Sequence, residues 1–450
     1  MKTNVRFVCL TTALLSLSMG AAAQPIIVLV NFDGGNGANP QAGLVALGNT
    51  LYGTAYAGGS SNFGTVFAIN TNGGALTTLY NFTGAIYSTN TSNYVTTDGA
   101  YPAAGLVVAG ITLYGTTYAG GSSDDGTVFA IETNSGNYAI LHKFSGGTGG
   151  ANPEAGLVLS SNLLYGTTSG GGTTGAGSIF RMNTNGGSFT NIHSFGGGIN
   201  GANPEAALVL AGNTLYGTTY AGGNSGDGTV FRVNTDGSSF NIVYNFTGGS
   251  DGANPEAGLV LSGSTLYGTA SDGGAFFGTV FKVNTNSGGY ASFAFNGANG
   301  ANPQAGLVLL GNTLFGTSPN GGSNGWGTVF EVTTNGGGFT GLYDFTDGSD
   351  GASPEAGLLL LGNTLYGTTQ TDDPYGYGTV FALPTPAVVA PIPLAIVLQG
   401  SHVTLSWSNA SFFLQSATNV ASIYFTNVPG ATSPYTNAIT NKQQFFRLQN

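Results

Sequence analysis

One phrase recurs seven times along this chain, and its period limits what the chain can fold into more than any single residue does. It runs G-A-N-P-E-A-G-L-V-x-x-G-N-T-L-Y-G-T-T-x-x-G-G, then G-T-V-F-x-x-N-T-N-G-G, then a short apolar run ending in Phe. Its prolines stand at Pro40, Pro102, Pro153, Pro204, Pro255, Pro303 and Pro354, spaced by 62, 51, 51, 51, 48 and 51 residues. Self-similarity at such a period marks a solenoid, a propeller or an array, because one unit cannot bury its apolar face alone.

Each copy offers four β-like runs, which in the second are Gly105 to Val108, Thr112 to Tyr118, Gly126 to Ile131 and Tyr138 to Phe144. They are short, rich in β-branched and aromatic residues, and separated by Gly, Asn and Ser. Four strands per repeat is the blade of a β-propeller. The seventh copy stops after its third run, Gly378 to Leu383, where Pro384 and Pro386 oppose further pairing. A spare copy of the fourth run stands at the other end: IIVLVNF at Ile26 to Phe32 matches LTTLYNF at Leu76 to Phe82 and FNIVYNF at Phe240 to Phe246. An open solenoid gains nothing from this offset, since its terminal repeats need polar caps. A ring gains a joint between its two chain ends. The expectation is an all-β, seven-bladed propeller over 24–383, closed by the N-terminal strand.

Met1 to Ala23 has Lys2 and Arg6, an apolar stretch from Phe7 to Met19, and small residues Ala21 and Ala23. This pattern predicts a secretory signal over 1–23 rather than a membrane span. Cys9 lies inside it, so the exported chain is expected to hold neither disulfides nor thiolate metal sites. Charged residues are 6% of the chain, and loss of the signal leaves six basic against 19 acidic side chains, net −13. Nucleic acid and anionic lipid need basic clusters, which are missing. From Ala387 the repeat is gone. A Pro-rich linker over 384–400 leads to strand-like runs at Val403 to Trp407, Phe412 to Gln415, Ile423 to Asn427 and Gln444 to Leu448. They predict a small β-sandwich over 401–450 with Trp407 in its core.

The repeat phrase, best seen at Gly201 to Gly223, resembles the Gloeo/Verruco (GloVer) tandem repeat of secreted bacterial proteins. The tail V-T-L-S-W, F-F-L-Q-S-A-T-N and F-F-R-L similarly resembles fibronectin-type-III-like C-terminal modules. The resemblance implies a bacterial, exported, envelope-associated protein. It brings no catalytic residues.

Candidate site residues are sorted by blade geometry. The connector from one blade to the next opens on the same face as the loop between second and third strands, and both loop sets are long and variable here. Glu154, Glu205, Glu256 and Glu355 sit on that face, with Gln41, Gln304 and Ala103 at the equivalent positions. They either form a broken ring of carboxylates at the channel mouth or cap backbone amides of their own turns. Asp98, Asp251, Asp347 and Asp350 read as solvated turn residues. Oxygen-rich Gly loops can hold Ca²⁺, but the full calcium loop is missing, so no cofactor is expected. Tyr56, Phe63, Tyr118, Tyr220, Phe276, Phe277, Trp326, Tyr375 and Tyr377 stand among Asn, Ser, Thr and Gly, as in a sugar-binding surface or paratope. The alternative is that half of them fold back over the blades. The insertion Gly84 to Asp98 breaks the period and is either a functional loop or a drifted repeat.

The aromatic of L-Y-G-T (Tyr52, Tyr114, Tyr165, Tyr216, Tyr267, Phe315, Tyr366) reads as packing between blades, with the following Gly allowing close approach. His142 and His193 take the slot of Tyr80, Tyr244 and Tyr343, and read as packing residues rather than a metal pair. No Ser/His/Asp order, phosphate loop or H-E-x-x-H occurs. The leading expectation is a non-catalytic protein whose variable face binds glycan or an envelope component. The alternatives are an extracellular carbohydrate-active enzyme with carboxylates at the channel mouth, and a structural spacer of the envelope.

Overall fold

A computed structural model describes residues 25–84, 86–88, 93–95, 98–372 and 375–386, together with the strand segments 395–399, 402–406, 413–417, 426–427, 435–438 and 445–449. Residues 1–23, read from sequence as a signal, and Trp407 lie outside the described residues. The chain divides after Thr385 into two compact units.

The larger unit is a seven-bladed β-propeller of four-stranded antiparallel sheets. Blade 4 is representative, running from the inner strand Val209–Ala211 through Thr214–Thr219 and Thr229–Asn234 to the outer strand Asn241–Asn245. Its first turn is Gly212-Asn213, with Gly212 at φ 58, where a residue with a Cβ is strained. Alternation along the second strand sends Leu215 and Gly217 to one face of the sheet and Tyr216 and Thr218 to the other. Both faces are buried, because each blade is covered by a neighbour on either side.

Blade 7 takes its inner three strands from Leu359–Leu361, Thr364–Thr369 and Thr379–Pro384. Its fourth is Ile27–Asn31, antiparallel to the third, with Ile27 opposite Ala382 and Asn31 opposite Thr379. Pairing extends further than the sequence predicts: Pro384 lies opposite Thr364 as the last residue of the ladder.

Seven apolar clusters fill the spaces between consecutive blades. Each centres on the Phe of G-T-V-F, struck edge-on by the Phe that follows an outer strand, at centroid distances of 4.9–5.4 Å. Phe32 meets Phe67 in the same way at 5.2 Å, between blades 7 and 1. Tyr216 and its equivalents are buried against the next blade, as expected. The Gly after that Tyr has a more local reason than close approach of sheets: a Cβ on Gly217 would stand 2.6 Å from the Phe231 ring and 2.8 Å from Leu208 of its own blade. A buried Thr then stitches blade to blade, Thr218 Oγ1 donating to Ala257 O at 3.3 Å and Thr368 Oγ1 to Pro40 O at 3.0 Å, from blade 7 to blade 1.

Within the insertion, Ile86–Ser88 pairs with Asn93–Val95 as a hairpin. The smaller unit holds two three-stranded sheets. In one, His402–Ser406 lies between Ala395–Gln399 and Tyr435–Ala438; in the other, Phe413–Ala417 lies between Thr426–Asn427 and Phe445–Gln449. Ala395–Gln399 falls inside the stretch read from sequence as linker.

Candidate functional site

The antiparallel meander puts the blade-to-blade connectors and the second-to-third-strand loops on one face, here the loop face. The opposite face carries the short G-N and N-T-N-G turns. The loop face is built on a repeated clasp. In blade 5, the Asn254 N–H donates to Asp227 O of blade 4 at 2.9 Å, and its Nδ2 donates to Tyr220 O at 3.2 Å. The clasp holds Asn254 at φ 53, a left-handed conformation that Asn tolerates. In blade 2 this position is Tyr101, at φ 57, where a bulky side chain is an outlier.

Three residues beyond each clasp proline the inner strands crowd the axis. A Cβ on Gly105 would lie 3.1 Å from Gly43 O, and one on Gly43 3.1 Å from Gly357 O, so the contact runs from blade 2 through blade 1 to blade 7. The Glu positions stand just before this constriction. Ser169 Oγ donates to Glu154 Oε1 at 2.7 Å, Ser271 Oγ to Glu256 Oε1 at 2.9 Å, and Gln370 Nε2 to Glu355 Oε2 at 3.2 Å. The expected capping of their own turn amides is therefore replaced by side-chain donors from the adjoining loop. At Glu205 the corresponding loop residue is Tyr220. Burial, and then the charges of Glu154 and Glu256, push Glu205 up to about 8. Burial and then Glu256 bring Glu355 to about 7. Glu154 and Glu256 are also raised by burial, against the opposing effect of their Ser donors. Glu205 thus senses Glu154 and Glu256, Glu256 senses Glu154 and Glu355 senses Glu256, so burial and mutual charge both oppose ionisation around the mouth.

The nine candidate aromatics separate into two groups. Tyr56, Phe63, Tyr118 and Tyr220 are half-buried. Tyr56 stacks on Tyr101 at 5.1 Å, and Phe63 meets the same ring edge-on at 5.6 Å. Phe276, Phe277, Trp326, Tyr375 and Tyr377 are exposed, Phe276 by 90%. Sequence reasoning missed Tyr101; the signal was Y-P standing where five other copies read N-P and one S-P.

The Gloeobacter/Verrucomicrobia repeat matches residues 84–277 and 276–390. The chain belongs to this repeat family. No curated protein matches it. Among solved structures it is similar to a nidogen/laminin complex, at 12% identity over 62% of this chain and 90% of that one, TM-score 0.39. TolB from Acinetobacter baumannii is similar at 14% identity over 61% and 58%, TM-score 0.38. An oligogalacturonate lyase in complex with manganese is similar at 12% identity over 78% and 90%, TM-score 0.48.

Other polar residues of the Gloeobacter/Verrucomicrobia repeats have structural partners. Asp251 is not a solvated turn residue: its Oδ2 accepts from Tyr244 Oη at 3.0 Å and its Oδ1 from Thr247 Oγ1 at 2.6 Å. Asp98 binds Tyr80 and Thr83, and Asp350 binds Tyr343 and Thr346, in the same way. Where the Tyr is replaced by His142 or His193, the loop has no such Asp, and the imidazoles stack on Phe189 and Phe240 at 3.7 and 3.9 Å. Burial lowers the pKa of both His. Among the described residues no three His, Cys, Asp or Glu side chains are placed to share a metal ion. None of the described helices is long and apolar enough to cross a membrane.

Proposed function

We propose that this is an exported, non-catalytic binding protein whose loop face engages a glycan or another envelope component. In this reading the strand Ile27–Asn31 closes the ring, and the C-terminal unit is a β-sandwich that tethers or sorts the protein. The observation that carries the proposal is the sorting of exposed rings: every exposed aromatic side chain among the described residues, Phe276, Phe277, Trp326, Tyr375 and Tyr377, stands on the loop face. Rings left in water among Asn, Ser and Gly are arranged to stack on a ligand, with amides and hydroxyls beside them.

The test is a glycan array with the full chain, followed by the triple variant Trp326→Ala, Tyr375→Ala, Tyr377→Ala. Binding is expected to weaken by about 1–3 kcal/mol, and to be unaffected by a chelator. Asn72→Ser and Asn185→Ser, on the opposite face, leave it unchanged. Equal loss from both faces rejects the reading.

The enzyme reading is favoured by one observation. Glu205 differs from its equivalents, having Tyr220 in place of a Ser or Gln donor and carboxylates on both sides, which suits a proton-holding general acid. Turnover of an array-positive oligosaccharide, abolished by Glu205→Gln, decides for it.

A further inference from the structure

Seven equivalent positions ring the loop face just before each G-T-V-F strand, and they are not used alike. Blades 2, 3 and 4 hold Asp125, Ala176 and Asp227 there. Blades 5, 6, 7 and 1, which are consecutive around the ring, hold Phe277, Trp326, Tyr377 and Phe63. Their equivalence is fixed by the clasp: these four carbonyls accept the N–H groups of Asn302, Ser353, Asn39 and Tyr101 at 2.8, 3.0, 2.9 and 2.9 Å.

The rings are backed. A Cβ on Gly84, Gly297 or Gly34 of the adjoining connector would stand 2.5, 3.3 or 3.0 Å from the ring of Phe63, Phe277 or Tyr377. Each ring therefore lies against glycine backbone on one side. Phe277, Trp326 and Tyr377 remain 38%, 46% and 37% exposed on the other. Asp372 fixes the last of them, its Oδ1 accepting the N–H groups of Tyr377 at 2.7 Å and Gly378 at 2.8 Å. Phe276 and Tyr375 add further exposed rings to the same arc, and Phe276 borders a cavity of ≈ 430 Å³ that Asn254, Asp227 and Asp272 also line.

We propose that this off-axis arc, rather than the channel mouth, seats an extended neutral polysaccharide. The proposal rests on the loop face being a binding surface and names its occupant. Exposed rings on three consecutive blades, Phe277, Trp326 and Tyr377, with half-buried Phe63 next in line, offer successive flat platforms, which match the apolar faces of successive pyranose units. A compact ligand would need a single pocket instead. Charge decides the sign of the occupant. The arc's loops contain no Lys or Arg. Arg181, Arg232 and Lys282 are engaged on the opposite face, donating to the carbonyls of Thr235, Thr285 and Thr334, and Lys143 belongs to blade 2. Asp33, Asp272, Asp344 and Asp372 stand in or beside the arc loops, so an anionic polymer is repelled.

The test is native affinity electrophoresis of the full chain in gels containing β-glucan, galactomannan, soluble starch or polygalacturonate. Retardation is expected with at least one neutral polymer and none with polygalacturonate. Trp326→Ala with Phe277→Ala should weaken retardation at least tenfold, Trp326→Tyr should retain most of it, and Tyr118→Ala with Tyr220→Ala, at the mouth, should change it less than twofold. Melting curves identify any variant that fails to fold. Retardation lost in the mouth pair but kept in the arc pair overturns the arc and leaves the binding face standing. Retardation by polygalacturonate alone, or by no polymer, overturns the neutral occupant; a blank glycan array as well removes the binding reading with it.

Discussion

Phe32→Ala tests whether the N-terminal strand is part of the ring or merely laid against it. Phe32 is 1% exposed and packs in the cluster between blades 7 and 1, its ring edge-on to Phe67 at 5.2 Å. A buried Phe hides about 150–250 Å². At about 25 cal/mol per Å² that is about 4–6 kcal/mol of transfer free energy, and large-to-small core changes at Phe cost about 3–5 kcal/mol. About 4 kcal/mol is therefore the expected loss. For a domain larger than 200 residues, at about 2 °C per kcal/mol, the melting temperature should fall by about 8 °C. The internal standard is Phe246→Ala, which removes the equivalent ring, fully buried and 5.1 Å from Phe281, from a blade whose strands are contiguous in sequence. Scanning calorimetry of both variants and the parent should give one transition each, with the two shifts within about 2 °C of each other. If Phe246→Ala shows the full drop and Phe32→Ala shows almost none, the first strand frays without consequence, and the argument for closure through it fails.

Two further outcomes follow from packing and charge. Glu205 and Glu355 are held up to about 8 and about 7 by burial first and neighbouring carboxylates second, from an ordinary 4.5. A carboxyl raised on folding contributes stability that is complete below its ordinary value and lost as pH climbs through the raised one. The melting temperature should therefore decline between pH 4.5 and 8, and Glu205→Gln should flatten the decline; a profile unmoved by that substitution refutes a raised carboxyl at Glu205. Gly217→Ala forces a methyl to within 2.6 Å of the Phe231 ring, so urea unfolding should show a loss of about 1–3 kcal/mol, and an unchanged midpoint would mean that the Phe ring is free to move aside.

What the sequence makes legible is what repeats under burial. Phe67, Phe129, Phe180, Phe231, Phe281, Phe330 and Phe381 are all Phe because each fills the same interblade space, over a position that only Gly leaves empty. Strand number and order follow from that regularity. What stays hidden are partnerships made across the fold. Glu154 and Ser169 are 15 positions apart and meet only because the connector and the next loop open on one face. The Tyr244, Thr247 and Asp251 contacts are short in sequence, yet solvated turns look the same in one dimension. Tyr101 was overlooked because a left-handed backbone leaves no mark beyond the loss of its usual Asn.

The same contrast separates fixed from variable positions around the ring. A position enclosed by two blades tolerates one volume, so the seven copies agree there, as at Thr54, Thr116, Thr167, Thr218, Thr269, Thr317 and Thr368. A position before G-T-V-F contributes only its backbone to the clasp, which leaves the side chain free to be Phe, Asp, Ala, Asp, Phe, Trp and Tyr in turn. Around the mouth, Gln41 and Ala103 accompany Tyr56, Tyr101 and Tyr118 on one side, and Glu154, Glu205 and Glu256 stand on the other. A near-sevenfold core thus presents a face whose rings and carboxylates change from blade to blade. Stability fixes the first pattern and has little hold on the second, so the ligand proposed for this face must read it by its departures from symmetry.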